Sequence, residues 1–275
     1  MTLQNAFAQS VNSIAVKLGQ EVGIPSIIHT AYEMGITTKL EEKPSICLGA
    51  SDVRLIDMAD AYSTIANGGA KVTPVLVTKI VNSEGKVIYQ TPTERTQVLS
   101  ERTVSMMQRL LMGGVLTPNG TSHSLLNYIG DVDDTDFGGK TGTSNSHADA
   151  WYVGVTPGLV AGGWVGGEYR CIHFRTGELG QGSRTALPIF GYFIQSVLSD
   201  PQFKKYQCRF GEPKEKIPGN CYTCANYVPH YEEEVDSLMM DSISDITTFS
   251  PVENATETET NTSNEPTLDS PVETE

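Results

Sequence analysis

Seven consecutive residues, Phe137-Gly138-Gly139-Lys140-Thr141-Gly142-Thr143, concentrate most of the chemistry this chain can offer. Lys140 supplies a fixed positive charge, and Thr141 and Thr143 supply hydroxyls. Gly142 removes the Cβ that would keep a substrate backbone away. The backbone N–H of Thr143 can then face an oxygen on which negative charge develops. Gly-Lys-Thr also ends a phosphate-binding loop, but that motif needs a glycine where Asp134 stands. Asp131, Asp133, Asp134 and Asp136 would repel a triphosphate, and Gly-Thr-Ser-Asn-Ser is a poor start for the helix that loop requires.

A second set lies near the start of the chain, at Ser10-Val11-Asn12. Apolar residues at 3, 6, 7, 11, 14, 15 and 18 follow helical spacing around it. In a continuous helix, Ser10 and Asn12 would point about 200° apart. In a short irregular turn between two helices, both could face one cleft. Alone, Ser-x-Asn reads as a cap or a turn.

Taken with Lys-Thr-Gly-Thr, the chain resembles the transpeptidase domain of penicillin-binding proteins, above all the bifunctional class A type. Four stretches carry the resemblance: Ala6 to Asn12; Leu48-Gly49-Ala50-Ser51 through Ala61 to Gly69; Asp149-Ala150-Trp151-Tyr152 through Pro157; and Ser183-Arg184-Thr185-Ala186-Leu187-Pro188-Ile189-Phe190. They run in the family's order over roughly residues 1–200.

The resemblance implies an α/β (α+β) fold of the penicillin-binding protein and serine β-lactamase type, an antiparallel sheet flanked by helices and incomplete at the N-terminus. It implies D-Ala-D-Ala transpeptidation in peptidoglycan cross-linking. Ser10 would relay protons, Asn12 would hold the substrate's peptide amide, and Lys140 would add charge to the proton network. Thr141 and Thr143, with Gly142 between them, would bind the terminal carboxylate. The partners implied are peptidoglycan stem peptides, with β-lactams as inhibitors. The place of action implied is the outer face of the bacterial cytoplasmic membrane, with the parent anchored there. No metal or organic cofactor is implied.

The family's nucleophile sits in Ser-x-x-Lys, where the lysine one helical turn on activates the hydroxyl. The only such match is Ser83-Glu84-Gly85-Lys86. It lies between the β-rich runs Val75–Asn82 and Val87–Tyr89 and reads as a hairpin turn, not a helix start. The expectation is therefore a C-terminal fragment, with the nucleophile, a glycosyltransferase domain and a membrane anchor upstream, and inactive alone. A serine β-lactamase would need a carboxylate base in a Glu-x-x-Leu-Asn setting, and His123-Ser124-Leu125-Leu126-Asn127 has histidine there. A non-catalytic sensor domain is the binding alternative.

The elements that must position these groups follow from pattern. Helices are expected near 3–22, 25–34, 52–68, 100–113 and 184–199, the last capped by Ser183 with Pro188 in its first turns. Strands are expected near 74–82, 86–90, 137–143, 149–156, 159–166 and 170–174. The three from 137 to 166 have short connections and form an antiparallel meander, with Lys140 on an edge strand open to an added peptide strand. Trp151 and Trp164 read as core residues, His123 and His147 as lone histidines, and Asp149 as a brace.

The net charge of −14 is unevenly spread. Residues 232–275 hold thirteen acidic and no basic residues, leaving a net −1 on residues 1–231. The acidity belongs to a low-hydrophobicity tail expected to be disordered, and no basic patch points to nucleic acid. The division expected is 1–203 for the transpeptidase part, 204–231 for a cysteine-containing extension and 232–275 for the tail. Cys208 with Cys221 or Cys224 suits a disulfide better than a metal knuckle completed by His230, with free thiols open as a third reading. Cys47 and Cys171 read as buried or half-buried.

Overall fold

The computed structural model describes residues 1–92, 94–130 and 134–211. Three helices open the chain: α1 (Leu3–Ala8), α2 (Asn12–Val22) and α3 (Ile24–Met34). The single helix expected over 3–22 is thus two, broken at Gln9-Ser10-Val11. The break is a Schellman-type cap, in which Ser10 N–H donates to Phe7 O (3.1 Å) and Val11 N–H to Ala6 O (2.9 Å). Ser10 takes φ +56° at the position that glycine usually fills.

Helix α4 (Leu55–Ala66) ends in Asn67-Gly68-Gly69, whose glycines at φ +68° and +86° turn the chain into β1 (Ala70–Val72). A hairpin follows, β2 (Lys79–Val81) and β3 (Val87–Gln90), and then β4 (Arg95–Gln97) returns to pair with β1. The strand expected over 74–82 is therefore short, and the β1–β4 pair has no periodicity to announce it. Helix α5 (Glu101–Leu116) starts at Ser100, whose hydroxyl accepts the Thr103 N–H at 3.1 Å.

After α6 (Leu126–Ile129) comes the expected meander, β5 (Gly138–Thr143), β6 (Asp149–Thr156) and β7 (Leu159–Gly166), antiparallel in the order β5-β6-β7. The turn α7 (Gly177–Gly180) and the long helix α8 (Ala186–Ser199) complete it. Residues 170–174 form turns rather than a strand, and the Ile172 N–H closes on Tyr169 O. Helix α8 is led by Thr185 without a side-chain cap, so Ser183 lies in the turn before it.

The sheet is covered on both faces, which is why β6 reads as a nearly unbroken apolar run. Tyr152 on one face packs with Ala186, Leu187, Phe190 and Ile194 of α8. Val155 on the other packs with Ile65 of α4 and Val104 and Leu111 of α5. Glycines set the spacing. A Cβ at Gly154 would come within 2.4 Å of the Phe190 ring, and one at Gly138 within 2.8 Å of Leu111 Cβ. Gly138 thus lets α5 lie directly on the strand that carries Lys140.

Residues 201–210 continue onto this body. Tyr206 packs over Gly158, and the Phe210 N–H donates to Asp136 Oδ2 at 2.8 Å. Cys47 is half-buried against Gly19 as expected, whereas Cys171 is exposed, because residues 167–176 loop away from the sheet. Cys221, Cys224, His230 and the acidic tail lie outside the described residues, as do Asp131 and Asp133. Among the described residues, no helix is long and apolar enough to cross a membrane.

Candidate active site

The site begins with the register of β5. Lys140 pairs with Val153, and directly opposed residues share a face, so its side chain leaves the sheet on the side of Val153. Helix α5 covers that face, and α1 packs in turn on α5, where Gly113 lets Gln4 approach. The end of α1 is thereby carried to Lys140. Its Nζ donates to Ser10 Oγ at 2.8 Å and to the Thr141 carbonyl at 2.9 Å. Two groups 130 residues apart in sequence are in direct contact. Burial pushes the Lys140 ammonium down to about 8.

Ser10 is exposed on its strained turn, and Asn12 is exposed at the first position of α2. A non-glycine residue in the left-handed region costs about 1–2 kcal/mol. The αL position turns the chain sharply enough for Ser10 and Asn12 to belong to different elements, so the 200° splay of a continuous helix does not apply.

Thr141 and Thr143 are held differently. The Thr141 hydroxyl donates to Thr121 Oγ1 at 2.7 Å. Thr143 Oγ1 accepts the Gly182 N–H at 3.0 Å, which leaves its own proton to give. Gly182 can approach only because it lacks a Cβ, which would lie 2.5 Å from Gly142 O. Gly139 O accepts from Ser122 Oγ and therefore faces away from β6. By the two-residue period of a strand, the main-chain groups of Thr141 and Thr143 face the same open edge.

Sequence reasoning did not single out Thr121 or Gly182. Asn119-Gly120-Thr121-Ser122 reads only as a turn, and nothing in its composition places it against β5. The remaining residues have structural places. Asp149 Oδ1 accepts from Trp164 Nε1 at 3.1 Å, a brace between β6 and β7, and Trp164 is exposed rather than core. His123 Nδ1 lies 2.8 Å from Val115 O. His147, at φ +58°, fits against Gly177 and Gly180. Arg184 is exposed in the turn before α8.

A meander wedged between helices, with the lysine of Lys-Thr-Gly on its edge strand bonded to the serine of Ser-x-Asn in a helix–helix turn, brings together two of the motifs that penicillin-binding proteins and serine β-lactamases share. Residues 1–159 match the penicillin-binding protein transpeptidase domain family, and the chain belongs to that family. It is 35% identical over 167 residues to penicillin-binding protein 2D of Bacillus subtilis, covering 60% of this chain and 24% of the relative. With penicillin-binding protein 1A of Aquifex aeolicus it shares 32% identity over 197 residues, covering 72% and 26%. It thus spans about a quarter of the length of these relatives. The solved structure of penicillin-binding protein 1A from Haemophilus influenzae superposes with a TM-score of 0.69 at 25% identity, over 78% of this chain and 36% of that one.

Proposed function

We propose that this chain supplies the Ser-x-Asn and Lys-Thr-Gly-Thr walls of a D-Ala-D-Ala transpeptidase that cross-links peptidoglycan on the outer face of the bacterial cytoplasmic membrane. The observation that carries the proposal is the 2.8 Å contact between Lys140 Nζ and Ser10 Oγ. A serine hydroxyl in a Ser-x-x-Lys segment attacks the carbonyl of the penultimate D-alanine. Its proton passes through Ser10 toward the departing amine, the C–N bond breaks, and D-alanine leaves. The acyl group then passes to an acceptor amine, whose proton returns by the same route.

Lys140, with an ammonium held near 8, keeps a positive field at the relay and exchanges protons near neutrality at small cost. The Thr143 N–H is aimed by strand parity at the oxyanion, and its hydroxyl has a proton to donate to the substrate carboxylate. Asn12 takes the substrate amide at the mouth of the cleft. Donors fixed before reaction in this way stabilise developing charge without reorganising.

Fluorescent penicillin tests the reading. The label is applied to this chain and to a chimera in which the part of Bacillus subtilis penicillin-binding protein 2D that precedes its matching region is placed before it. Covalent labelling of the chimera alone is expected, at a rate that falls when Lys140 is changed. Labelling of the short chain would place the nucleophile elsewhere, and a folded chimera that does not label would overturn the assignment.

A further inference from the structure

The strap between α5 and α6 touches both walls of the proposed site at one residue. The Thr121 backbone N–H donates to Ala8 O at 2.9 Å, the last residue of α1 and two before Ser10. Its hydroxyl accepts the Thr141 proton at 2.7 Å, one residue beyond Lys140. The neighbouring Ser122, fully buried, donates to Gly139 O at 3.3 Å, one residue before Lys140. Gly120 makes this path possible, since a Cβ there would fall 2.2 Å from Gly114 O.

We infer that Thr121 is a positioning residue, a bracket that holds the Ser10 turn and the Lys140 strand at hydrogen-bonding distance. The inference deepens the transpeptidase reading and rests on it. The Ser10 turn carries backbone strain and is exposed, and the Lys140–Ser10 contact it must hold is a single hydrogen bond from β5. Helix α1 has only six residues and is too short to be stable by itself. The Thr121 N–H fixes the end of α1 relative to the strap, and the Thr121–Thr141 and Ser122–Gly139 bonds fix the strap relative to β5.

The test uses this chain as it stands. NMR follows the titration of the Lys140 side chain, assigned by its loss in Lys140→Arg, in the wild type and in Thr121→Val, Thr121→Ser and Thr141→Val. Valine keeps the shape and the backbone N–H but removes the hydroxyl. Thr121→Val is expected to move the Lys140 midpoint upward by half a pH unit or more, as water enters the loosened contact. Thr141→Val should do the same, the double variant should add nothing further, and Thr121→Ser should restore the wild-type midpoint.

Equal melting temperatures within a few degrees would separate positioning from unfolding. An unchanged Lys140 midpoint in Thr121→Val, against a lowered wild-type value, overturns the bracket alone. A wild-type Lys140 that titrates like an exposed lysine overturns the bracket together with the functional reading beneath it. Failure of serine to rescue also overturns the bracket.

Discussion

Two serine–lysine pairs bear on acyl-transfer chemistry, and they differ in every respect that matters for it. Ser83 and Lys86 are three residues apart, in the Ser-x-x-Lys spacing of an acyl-transfer nucleophile, yet they sit on the tip of the β2–β3 hairpin. There Asn82 Oδ1 accepts the N–H groups of Glu84 and Lys86, Gly85 turns at φ +81°, and both side chains are exposed. Ser10 and Lys140 are 130 residues apart and touch at 2.8 Å, with the lysine desolvated. Spacing creates chemistry only when the local structure is a helix that stacks i over i+3. Elsewhere packing does the work, here glycines that let α5, α1 and β5 close on one another.

The comparison breaks most severely at Lys140. In the penicillin-binding chimera, Lys140→Ala should slow acylation by about 100-fold or more, the scale for loss of one preorganised electrostatic group. Lys86→Ala should leave the rate within about twofold. Stopped-flow labelling gives both numbers. A large effect of Lys86→Ala would mean that the hairpin, not β5, carries the chemistry.

The packing that makes the difference can be broken next. Gly138→Ala forces a Cβ to within 2.8 Å of Leu111 Cβ and should destabilise the chain by about 1–3 kcal/mol in urea denaturation. Gly49→Ala meets open space and should lose only the roughly 1–2 kcal/mol of its left-handed φ. Equal losses with no effect at the site would sink the claim that close approach, not backbone freedom, selects glycine at 138.

Asp57 offers a structural contrast to Lys140. Burial pushes its carboxyl up. The Thr38 hydroxyl, the Arg54 guanidinium and the backbone N–H groups of Thr38 and Thr37 outweigh that and hold it well below the usual carboxylate range. Its stabilisation is therefore full above the unfolded carboxylate value near 4 and is lost as pH falls below it. Asp57→Asn should cost about 1–3 kcal/mol at pH 7 and progressively less as pH falls below 4, with part of the cost still present at pH 2, measured by denaturant melts across that range.

Lys140 has a slope of the same sign in a higher window, although there folding disfavours the charged form rather than favouring it. Its folded value near 8 lies below the unfolded 10.5, so the unfolded chain binds more protons between them and stability rises with pH across that window. Lys140→Met should flatten this rise relative to the wild type, and the difference isolates Lys140 from the tyrosines that titrate higher.

Ser10→Gly is the smallest expected change in stability and the sharpest in meaning. It relieves φ +56° and should change stability by at most about 1 kcal/mol, while acylation in the chimera falls by about two orders of magnitude. A variant that folds as well or better and reacts far worse would locate the strain at function.

Much of this was legible in sequence because the relevant patterns are local. The meander shows in the apolar run Trp151–Val155 and the glycine-spaced Val160–Gly166, and the hairpin in Asn82–Lys86. The break at Ser10 was legible only as one alternative, a turn between two helices, because apolar spacing continues across it and serine lacks the signature of a left-handed cap. The β1–β4 pair escaped because three-residue strands around a long insertion carry no period. Thr121 escaped for a different reason. Its role is a matter of which loop crosses which strand edge, and only tertiary packing decides that. Trp164 was read as core from its type, whereas its indole N–H is drawn outward to Asp149.

The central claim is that the Ser10 turn and the Lys140 strand act as one unit. A double-mutant cycle on penicillin acylation of the chimera, with Ser10→Ala, Lys140→Ala and the pair, measures this directly. Groups that act together are strongly non-additive, so the double variant should be nearly as fast as the slower single one. Losses that simply multiply would show two independent groups and contradict the account.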